Sequence, residues 1–270
     1  MKDAIVRNGL NGAAELTKRY GTVKRARGCF LYTAKSVRIT DLYQEGGRAI
    51  LGWGGGSAFT VLKNVLSRGL TGSFDTDFAP RIQKAVSDLL FSPRRVFVFS
   101  SKEIALKEAL AFSPEDSSVW KPWADADIQW SERAAVIVEP PLPWTGGIYL
   151  LAVRGDSAGE WLPSRPELRL PAVLQAAVAR SLYNMIAAIQ VRAEKDWFIY
   201  DTVLRPYWTR RGPYLYPVVP RERYGDFFLH CLENELFISP FYDTPSIVPY
   251  GADVGVFRKL SRSPFTFSPS

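Results

Sequence analysis

The five-residue run Ala134–Val138 (AAVIV) is the sequence feature that most limits how this chain can fold. A strand without a polar residue has no face suited to water, so both of its faces must be buried. Such strands lie inside parallel or mixed sheets that have helices packed on them. With 270 residues and 47% hydrophobic content, the chain can build a core of that size.

Elements predicted around this run alternate between helix and strand, which favours a parallel sheet with helices on it. The predicted helices span residues 58–70, 78–91, 102–112 and 172–194, and the predicted strands span 95–100, 134–138 and 148–153. Residues 113–131, rich in Pro, Asp, Ser and Trp, are expected to be irregular. The predicted fold class is α/β, with a reduced mixed or mostly parallel sheet and flanking helices.

The two ends of the chain predict shorter elements. Near the N-terminus we predict a helix or arm over 11–27 and strands over 30–32, 37–39 and 49–51. Near the C-terminus we predict strands over 214–219, 236–239 and 246–248 and helices over 221–235 and 252–261. The C-terminal third is therefore expected to form a small α+β domain. The predicted division is an N-terminal arm with small strands over 1–45, a large domain over 46–165, and a long helix with the small domain over 166–270.

The charge of the chain, formally +7, is concentrated early, because residues 1–50 hold ten Lys or Arg against four acids. A basic arm could meet a phosphate, a nucleic acid or an acidic partner, although a solvated surface is the simpler interpretation. Cys29 and Cys231 are the two cysteines, and His230 is the single histidine. No disulfide framework or metal site is predicted from so few ligands. A Ser-His-Asp or Cys-His hydrolase is disfavoured for the same reason.

Two apolar segments resemble membrane spans by length only. Residues 134–153 contain Glu139 and three prolines, and residues 170–191 are interrupted by Arg180, Gln175 and Asn184. Both are therefore expected in the core rather than in a membrane. The first 21 residues have no apolar leader, and the few thiols suggest a reducing compartment, so the predicted location is cytoplasmic.

Several motifs occur in an order that resembles one known family. These motifs are 27–32 (RGCFLY), 46–52 (GGRAILG), 99–105 (FSSKEIA), 134–140 (AAVIVEP) with Gly146-Gly147, and 224–240 with its Tyr, paired Phe and terminal Pro. Together they resemble the class III, or fold type I, aminotransferases that use pyridoxal phosphate. The resemblance implies that the N-terminal strands join the C-terminal domain, and that the protein forms a homodimer.

The chain departs from this family at the family's catalytic positions. No lysine occurs between Lys121 and Lys195, and no Asp-Glu pair follows Glu139. The family places its Schiff-base lysine, and the Asp that pairs with the cofactor's pyridine nitrogen, in the part that this shortened chain lacks. Because transamination needs both groups, activity is expected to be lost. Pyridoxal phosphate is possible as a cofactor, but none is expected.

The turn Ser100-Ser101-Lys102 is the candidate cofactor-binding site. In the family the matching turn holds the cofactor's phosphate at a helix N-terminus, where free N–H groups favour an anion. Plain capping of the following helix by Ser100 or Ser101 is the simpler interpretation. Lys102 is also the catalytic candidate, as a relocated Schiff-base lysine, and Lys195 is a second, weaker candidate.

Three other segments carry alternatives. Residues 52–57 (GWGGGS) lack the lysine of a phosphate-binding loop and predict a turn before a helix. Residues 205–214 mix Arg with aromatic residues, which suits an interface loop or single-stranded nucleic acid. Five tryptophans lie in the segment 120–161, which seals the shortened domain, docks a protein partner or packs in the core.

The sequence therefore predicts an aminotransferase-like protein that has lost transaminase activity and acts by binding, assembly or regulation. One alternative is an active pyridoxal-phosphate enzyme with an unusual lysine. The other is a basic nucleic-acid-binding or scaffold protein, although nucleic acid is not the expected partner.

Overall fold

The computed structural model describes residues 11–124, 128–159 and 161–267. Its helices are α1 (Gly12–Tyr20), α2 (Ser57–Ser67), α3 (Phe78–Leu90), α4 (Lys102–Phe112), α5 (Gly155–Ala158), α6 (Ala172–Val191), α7 (Lys195–Phe198), α8 (Asp201–Leu204), α9 (Tyr224–Glu233) and α10 (Arg258–Arg262). Its strands are β1 (Val23–Arg27), β2 (Phe30–Thr33), β3 (Arg38–Asp41), β4 (Arg94–Phe99), β5 (Ser117–Val119), β6 (Ala135–Val138), β7 (Tyr149–Arg154), β8 (Trp208–Arg211), β9 (Tyr214–Pro217), β10 (Leu236–Phe237) and β11 (Ser246–Ile247). Short 3-10 turns occur at Gln44–Gly47, Arg221–Arg223 and Val254–Phe257.

The chain divides into two compact units. The first contains the described residues up to Gly54 together with those from Arg192 onward, and the second is Gly55–Val191. The long helix α6, which the sequence analysis grouped with the C-terminal third, belongs to the second unit by this division.

The sheet of the second unit is mixed, with strand order β4-β7-β6-β5. Strand β7 runs antiparallel to both of its neighbours, and β5 pairs parallel with β6. Strands β4, β5 and β6 therefore point the same way, with β7 reversed between β4 and β6. This sheet confirms the predicted α/β fold class.

Helices cover both faces of that sheet, as the apolar run required. All four residues of β6 are buried. On one face, α4 contributes Ala105 and Ala109 to a core with Phe97, Ile137 and Leu151. On the other side, α3 packs on β4 and against α6, which also packs on α2.

Helix α6 is long and apolar enough to cross a membrane, judged by length and composition alone. Small side chains such as Ala176 and Ala177 on its buried face let it approach α2 and α3 closely. Ala172 and Ala176 join Val65 and Phe78 in one apolar cluster. This packing is that of a core helix in the second unit.

The first unit contains two small sheets, with strand orders β1-β2-β3-β10 and β11-β9-β8. Strands β1, β2 and β3 form an antiparallel meander, and β10 from the C-terminal part adds to β3 in parallel. The N-terminal strands thus pair with the C-terminal region, as the resemblance implied. Cys29 and Cys231 are buried free thiols in this unit.

Three local predictions were wrong. Residues 49–51 form turns instead of a strand, because Ala49 and Ile50 donate backbone hydrogen bonds back to Gln44 and Gly47. Residues 113–131 contain the short strand β5, which finds a partner in β6. Residues 205–214 were expected as a loop, but they contain β8 and the start of β9, joined by a tight turn after Arg211.

Candidate functional site

The candidate site lies at one edge of the second unit's sheet, where β4 and β6 end. Because these strands point the same way, Phe99 and Val138 finish at the same edge, and β7 begins there opposite both of them. Ligands of open α/β sheets bind outside the carboxyl ends of the strands. The sequence-predicted turn Ser100-Ser101-Lys102 lies at this edge because it follows β4 directly.

Ser101 caps helix α4. Its Oγ accepts a hydrogen bond from the backbone N–H of Ile104 at 3.2 Å, and its backbone is extended. A serine in this position satisfies one of the N–H groups that a helix start leaves unpaired. The capping role predicted for this turn is therefore confirmed for Ser101.

Lys102 forms an ion pair at this edge. Its Nζ donates to Oε1 of Glu139 at 2.7 Å, with 46% of the lysine side chain and 24% of the glutamate side chain exposed. Glu139 follows β6 directly, so the orientation of β4 and β6 brings the two side chains together. Such a partly exposed pair contributes about 0–1 kcal/mol to stability, so its main effect is to keep the Lys102 side chain occupied by a partner.

The chain returns from β6 to β7 without another element. Residues 139–148 contain no helix or strand, and β7 pairs antiparallel beside β6, with Val138 opposite Leu150. A parallel strand would need a crossover of about a dozen residues or more. The described sheet therefore has no strand between β6 and the return strand that could carry a further acidic group over this edge.

Gly147, just before β7, is tightly packed at the same edge of the sheet. A Cβ atom on this residue would collide with the backbone carbonyl oxygen of Ser100. The carbonyl of Ser100 is therefore packed against the 146–147 turn, just before the capped start of α4.

Replacing Gly147 with alanine is expected to lower the free energy of unfolding by about 1–3 kcal/mol, because backbone atoms must move to admit the methyl group. Urea unfolding measures this cost. Gly146→Ala is a poorer control, since a Cβ there meets the Trp144 indole. Gly225→Ala is the matched control, since a Cβ at Gly225 has open space, and it should not destabilise the protein. Equal losses in the two variants would contradict the packing argument.

The other predicted residues lie elsewhere. Lys195 begins α7 in the first unit and is exposed. Nε2 of His230 lies 2.7 Å from the Ser263 carbonyl oxygen, which fits the packed role expected for a lone histidine. Within residues 11–124, 128–159 and 161–267, no cluster of His, Cys, Asp and Glu could hold a metal ion.

The tryptophans of segment 120–161 divide between core and surface. Trp120 is buried, and the Trp161 ring packs edge-on against Phe97 and Phe112 at 5.5 and 5.0 Å between centroids. Trp144 is 39% exposed, close to the candidate site in sequence. Core packing therefore accounts for Trp120 and Trp161, and it does not account for Trp144.

The chain is similar in structure to several solved aminotransferases. An ornithine aminotransferase from Plasmodium yoelii superposes with a TM-score of 0.68 at 11% identity, covering 97% of both chains. An acetylornithine aminotransferase from Elizabethkingia anophelis gives 0.66 at 11% identity, covering 92% of this chain and 96% of that one. An omega-transaminase from Sphaerobacter thermophilus gives 0.61 at 12% identity, covering 96% and 98%. The protein therefore has the fold of class III aminotransferases, in a chain of 270 residues that is shorter than is typical of them.

No family model matches the sequence. An uncharacterized protein of Treponema pallidum is 30% identical over 285 aligned positions, which cover 87% of this chain and 91% of that protein. An uncharacterized protein of Borreliella burgdorferi is 23% identical over 248 positions, covering 88% and 89%. The chain belongs to the same protein family as the Treponema pallidum protein.

The pairing of Lys102 with Glu139 was not predicted from the sequence. Lys102 was expected in a phosphate site, and Glu139 was a landmark after a buried strand. The available signal was the shared direction of two strands that each end in a charged residue. Only the structure reveals this shared direction, because it places β7 antiparallel between the two strands.

Proposed function

We propose that this protein is an aminotransferase-fold protein without transaminase activity, which acts by binding or assembly. The observation that carries the proposal is the antiparallel return of β7 beside β6. The chain passes directly from Glu139 to the returning strand, so the described part of the fold offers no second acidic group for a pyridine nitrogen.

The contacts at the turn also fit pyridoxal phosphate poorly. A phosphate needs free donors, but the Lys102 ammonium already pairs with Glu139, and the Ser101 hydroxyl, whose oxygen accepts in the helix cap, has only its O–H to donate. A Schiff base would need the Lys102 amine, which already lies in the ion pair with Glu139. When bound, pyridoxal phosphate supplies an electron sink, and that role depends on a protonated ring nitrogen.

The test is an absorbance titration of the purified protein with pyridoxal phosphate, followed by borohydride reduction and peptide mass mapping. We expect no Schiff-base band and no adduct that is specific to Lys102. Glu139→Gln releases Lys102 from its partner, and we expect this variant to lack the band as well, because the ring would still have no acidic partner.

Lys102→Ala separates a specific adduct from random modification of surface lysines. A band in the wild-type protein that disappears in Lys102→Ala would show that Lys102 holds pyridoxal phosphate, and it would overturn the argument that this turn is not a cofactor site. Adducts that form equally in the wild type and in Lys102→Ala are random, and they would agree with the absence of a cofactor site.

Without transaminase activity, a protein with this fold would act by binding or assembly. The homodimer that the resemblance implies is part of the proposal. Trp144 is the exposed anchor that the Trp-rich segment offers to a protein partner, since large aromatic side chains contribute most where they become buried in an interface. Sedimentation of the wild type and of Trp144→Ser tests both points: a monomeric wild type would rule out the homodimer.

A further inference from the structure

One face of the meander β1-β2-β3 carries alternating arginine and aromatic side chains. Arg25 lies opposite Tyr32, which lies opposite Arg38, and Arg27 lies opposite Phe30. Because side chains alternate across a strand, these five residues point to the same side of the sheet. We call them the arginine–aromatic face.

The cations and rings of this face are stacked. The guanidinium carbon of Arg38 lies 4.6 Å from the Phe30 ring centroid, and that of Arg25 lies 5.6 Å from the Tyr32 centroid. The three arginines are exposed, while both rings are half-buried. Neighbouring strands are about 4.8 Å apart, so cation, ring and cation follow one another within about 10 Å.

The described residues supply no counter-charge to this face. Across residues 11–124, 128–159 and 161–267, no carboxylate pairs with Arg25, Arg27 or Arg38, and Arg25 and Arg38 make the two ring contacts given above. Lys24, on the same strand, is exposed as well. Three guanidinium groups that pair with no described carboxylate, on one side of a small sheet, strongly attract an anionic partner.

The opposite face of the meander has a different role. Ala26 and Leu31 turn to that side and, with Leu16 of α1, line an apolar cavity of about 750 Å³. The sheet thus keeps its apolar residues under α1 and presents its arginines and rings on the other side. The arginine–aromatic face is therefore not required to cover the core beneath α1.

We propose that the arginine–aromatic face binds single-stranded nucleic acid. Arginine forks pair with phosphates, and bases stack on aromatic rings and on guanidinium planes. Two rings flanked by three arginines can contact a short stretch of nucleotides. The guanidinium groups would pair with the backbone phosphates, and the rings would stack with the bases. This role does not depend on whether the second unit catalyses a reaction.

Two simpler roles do not explain the arrangement. Charged side chains on an edge strand prevent pairing between sheets, but Arg38 lies on β3, which is inside the sheet between β2 and β10. A membrane surface favours apolar side chains that project outward. Here both rings are half-buried, with arginines stacked over them.

The experiment is fluorescence anisotropy of labelled single-stranded RNA and DNA oligonucleotides of the same mixed sequence, about 12 nucleotides long, titrated with the full chain at 50–200 mM salt. The double variant Arg25→Gln/Arg38→Gln should bind at least about tenfold more weakly. It should also lower the slope of log affinity against log salt by about 1.4, since each lost phosphate contact on a single strand removes about 0.7.

The ring variant Phe30→Leu/Tyr32→Leu, checked for folding by circular dichroism, should weaken binding about tenfold per ring with an unchanged salt slope, because stacking on aromatics is not ionic. The matched charge control is Arg68→Gln/Arg165→Gln, which removes the same charge from two exposed arginines of the second unit. This control should stay within about twofold of the wild type, apart from the general effect of net charge.

Three results would overturn the proposal. The first is no binding of either oligonucleotide at 50 mM salt, where contacts with phosphates are strong. The second is an equal loss of affinity in the Arg25/Arg38 variant and in the control, which would show a general effect of charge. The third is binding to phosphatidylserine vesicles that the Arg25/Arg38 variant loses while the oligonucleotides remain unbound.

Discussion

Replacing Arg210 with methionine is expected to lower the free energy of unfolding at pH 7 by about 3–5 kcal/mol. Arg210 lies on β8, and its Nε donates to Oδ1 of Asp201 on α8 at 2.6 Å. The two side chains are only 12% and 11% exposed. Methionine fills similar space but removes the charge, so the Asp201 carboxylate would stay buried with its main partner gone.

The geometry makes this pair unusually dependent on arginine. A second bond joins Nη2 of Arg210 to Oδ2 of Asp201 at 3.1 Å, and Nη1 donates to the Gly212 carbonyl at 2.9 Å. The guanidinium also pairs with Glu194. Lysine has no such planar fork, so Arg210→Lys should recover only part of the loss.

Arg211→Met is the matched control, because it removes the same charge from the next residue on the strand. Arg211 faces outward, with its guanidinium 5.8 Å from the centroid of the Tyr216 ring. We expect a loss of about 0.5–1 kcal/mol from that exposed cation–π contact. Urea unfolding followed by tryptophan fluorescence measures both variants, and equal losses would show that the buried pair has no special role.

The Arg210 bonds also predict a response to acid. Hydrogen bonds from Arg210 lower the pKa of Asp201 below its ordinary value of 3.8. A lowered folded-state pKa gives stability that is complete above the ordinary value and is lost as the pH falls through the lowered one. The acid-induced loss should therefore be smaller in Arg210→Met than in the wild type.

Much of the second unit could be predicted from sequence because its helices and strands are indicated by local patterns. The apolar run 134–138 and the helical spacing in 78–91 and 102–112 placed β6, α3 and α4 close to their observed bounds. Strand β9 was predicted within 214–219, but β8 was missed because Trp208 and Arg210 alternate with Thr209 and Arg211 over only four residues. Such a short alternation was hidden by a composition that also suits a loop.

The candidate site and the arginine–aromatic face were less predictable, because each depends on pairing between strands. Residues 205–214 drew attention as a mixture of arginine and aromatic residues, but Tyr207 and Trp208 are buried and Arg210 is paired. The comparable mixture in 23–38 is spread over three strands. It forms a continuous face only when the register places Arg25, Tyr32 and Arg38 in one row.

Asp41 provides the second large expected effect, because it is a carboxyl group buried in the first unit. Its Oδ1 accepts hydrogen bonds from the backbone N–H groups of Tyr43 and Gln44, both at 2.9 Å, and its Oδ2 accepts one from the Trp53 indole at 2.6 Å. Burial nevertheless dominates over these three donors and raises the pKa of Asp41 from 3.8 to about 6. The folded protein therefore holds this proton more tightly than the unfolded chain does.

We expect the free energy of unfolding to fall by about 3 kcal/mol as the pH rises from about 4 to about 6, and then to level off with respect to this group. The sign follows from the raised pKa: between these values the folded state binds more protons than the unfolded state, so deprotonation favours unfolding. Asp41→Asn cannot ionise and should lack this loss. Asp226→Asn, which changes a 69% exposed side chain in the same unit, should keep the wild-type profile. Urea midpoints measured from pH 4 to pH 7 test this expectation. Parallel profiles for the wild type and Asp41→Asn would mean that the three hydrogen bonds offset burial and leave the pKa of Asp41 at its ordinary value.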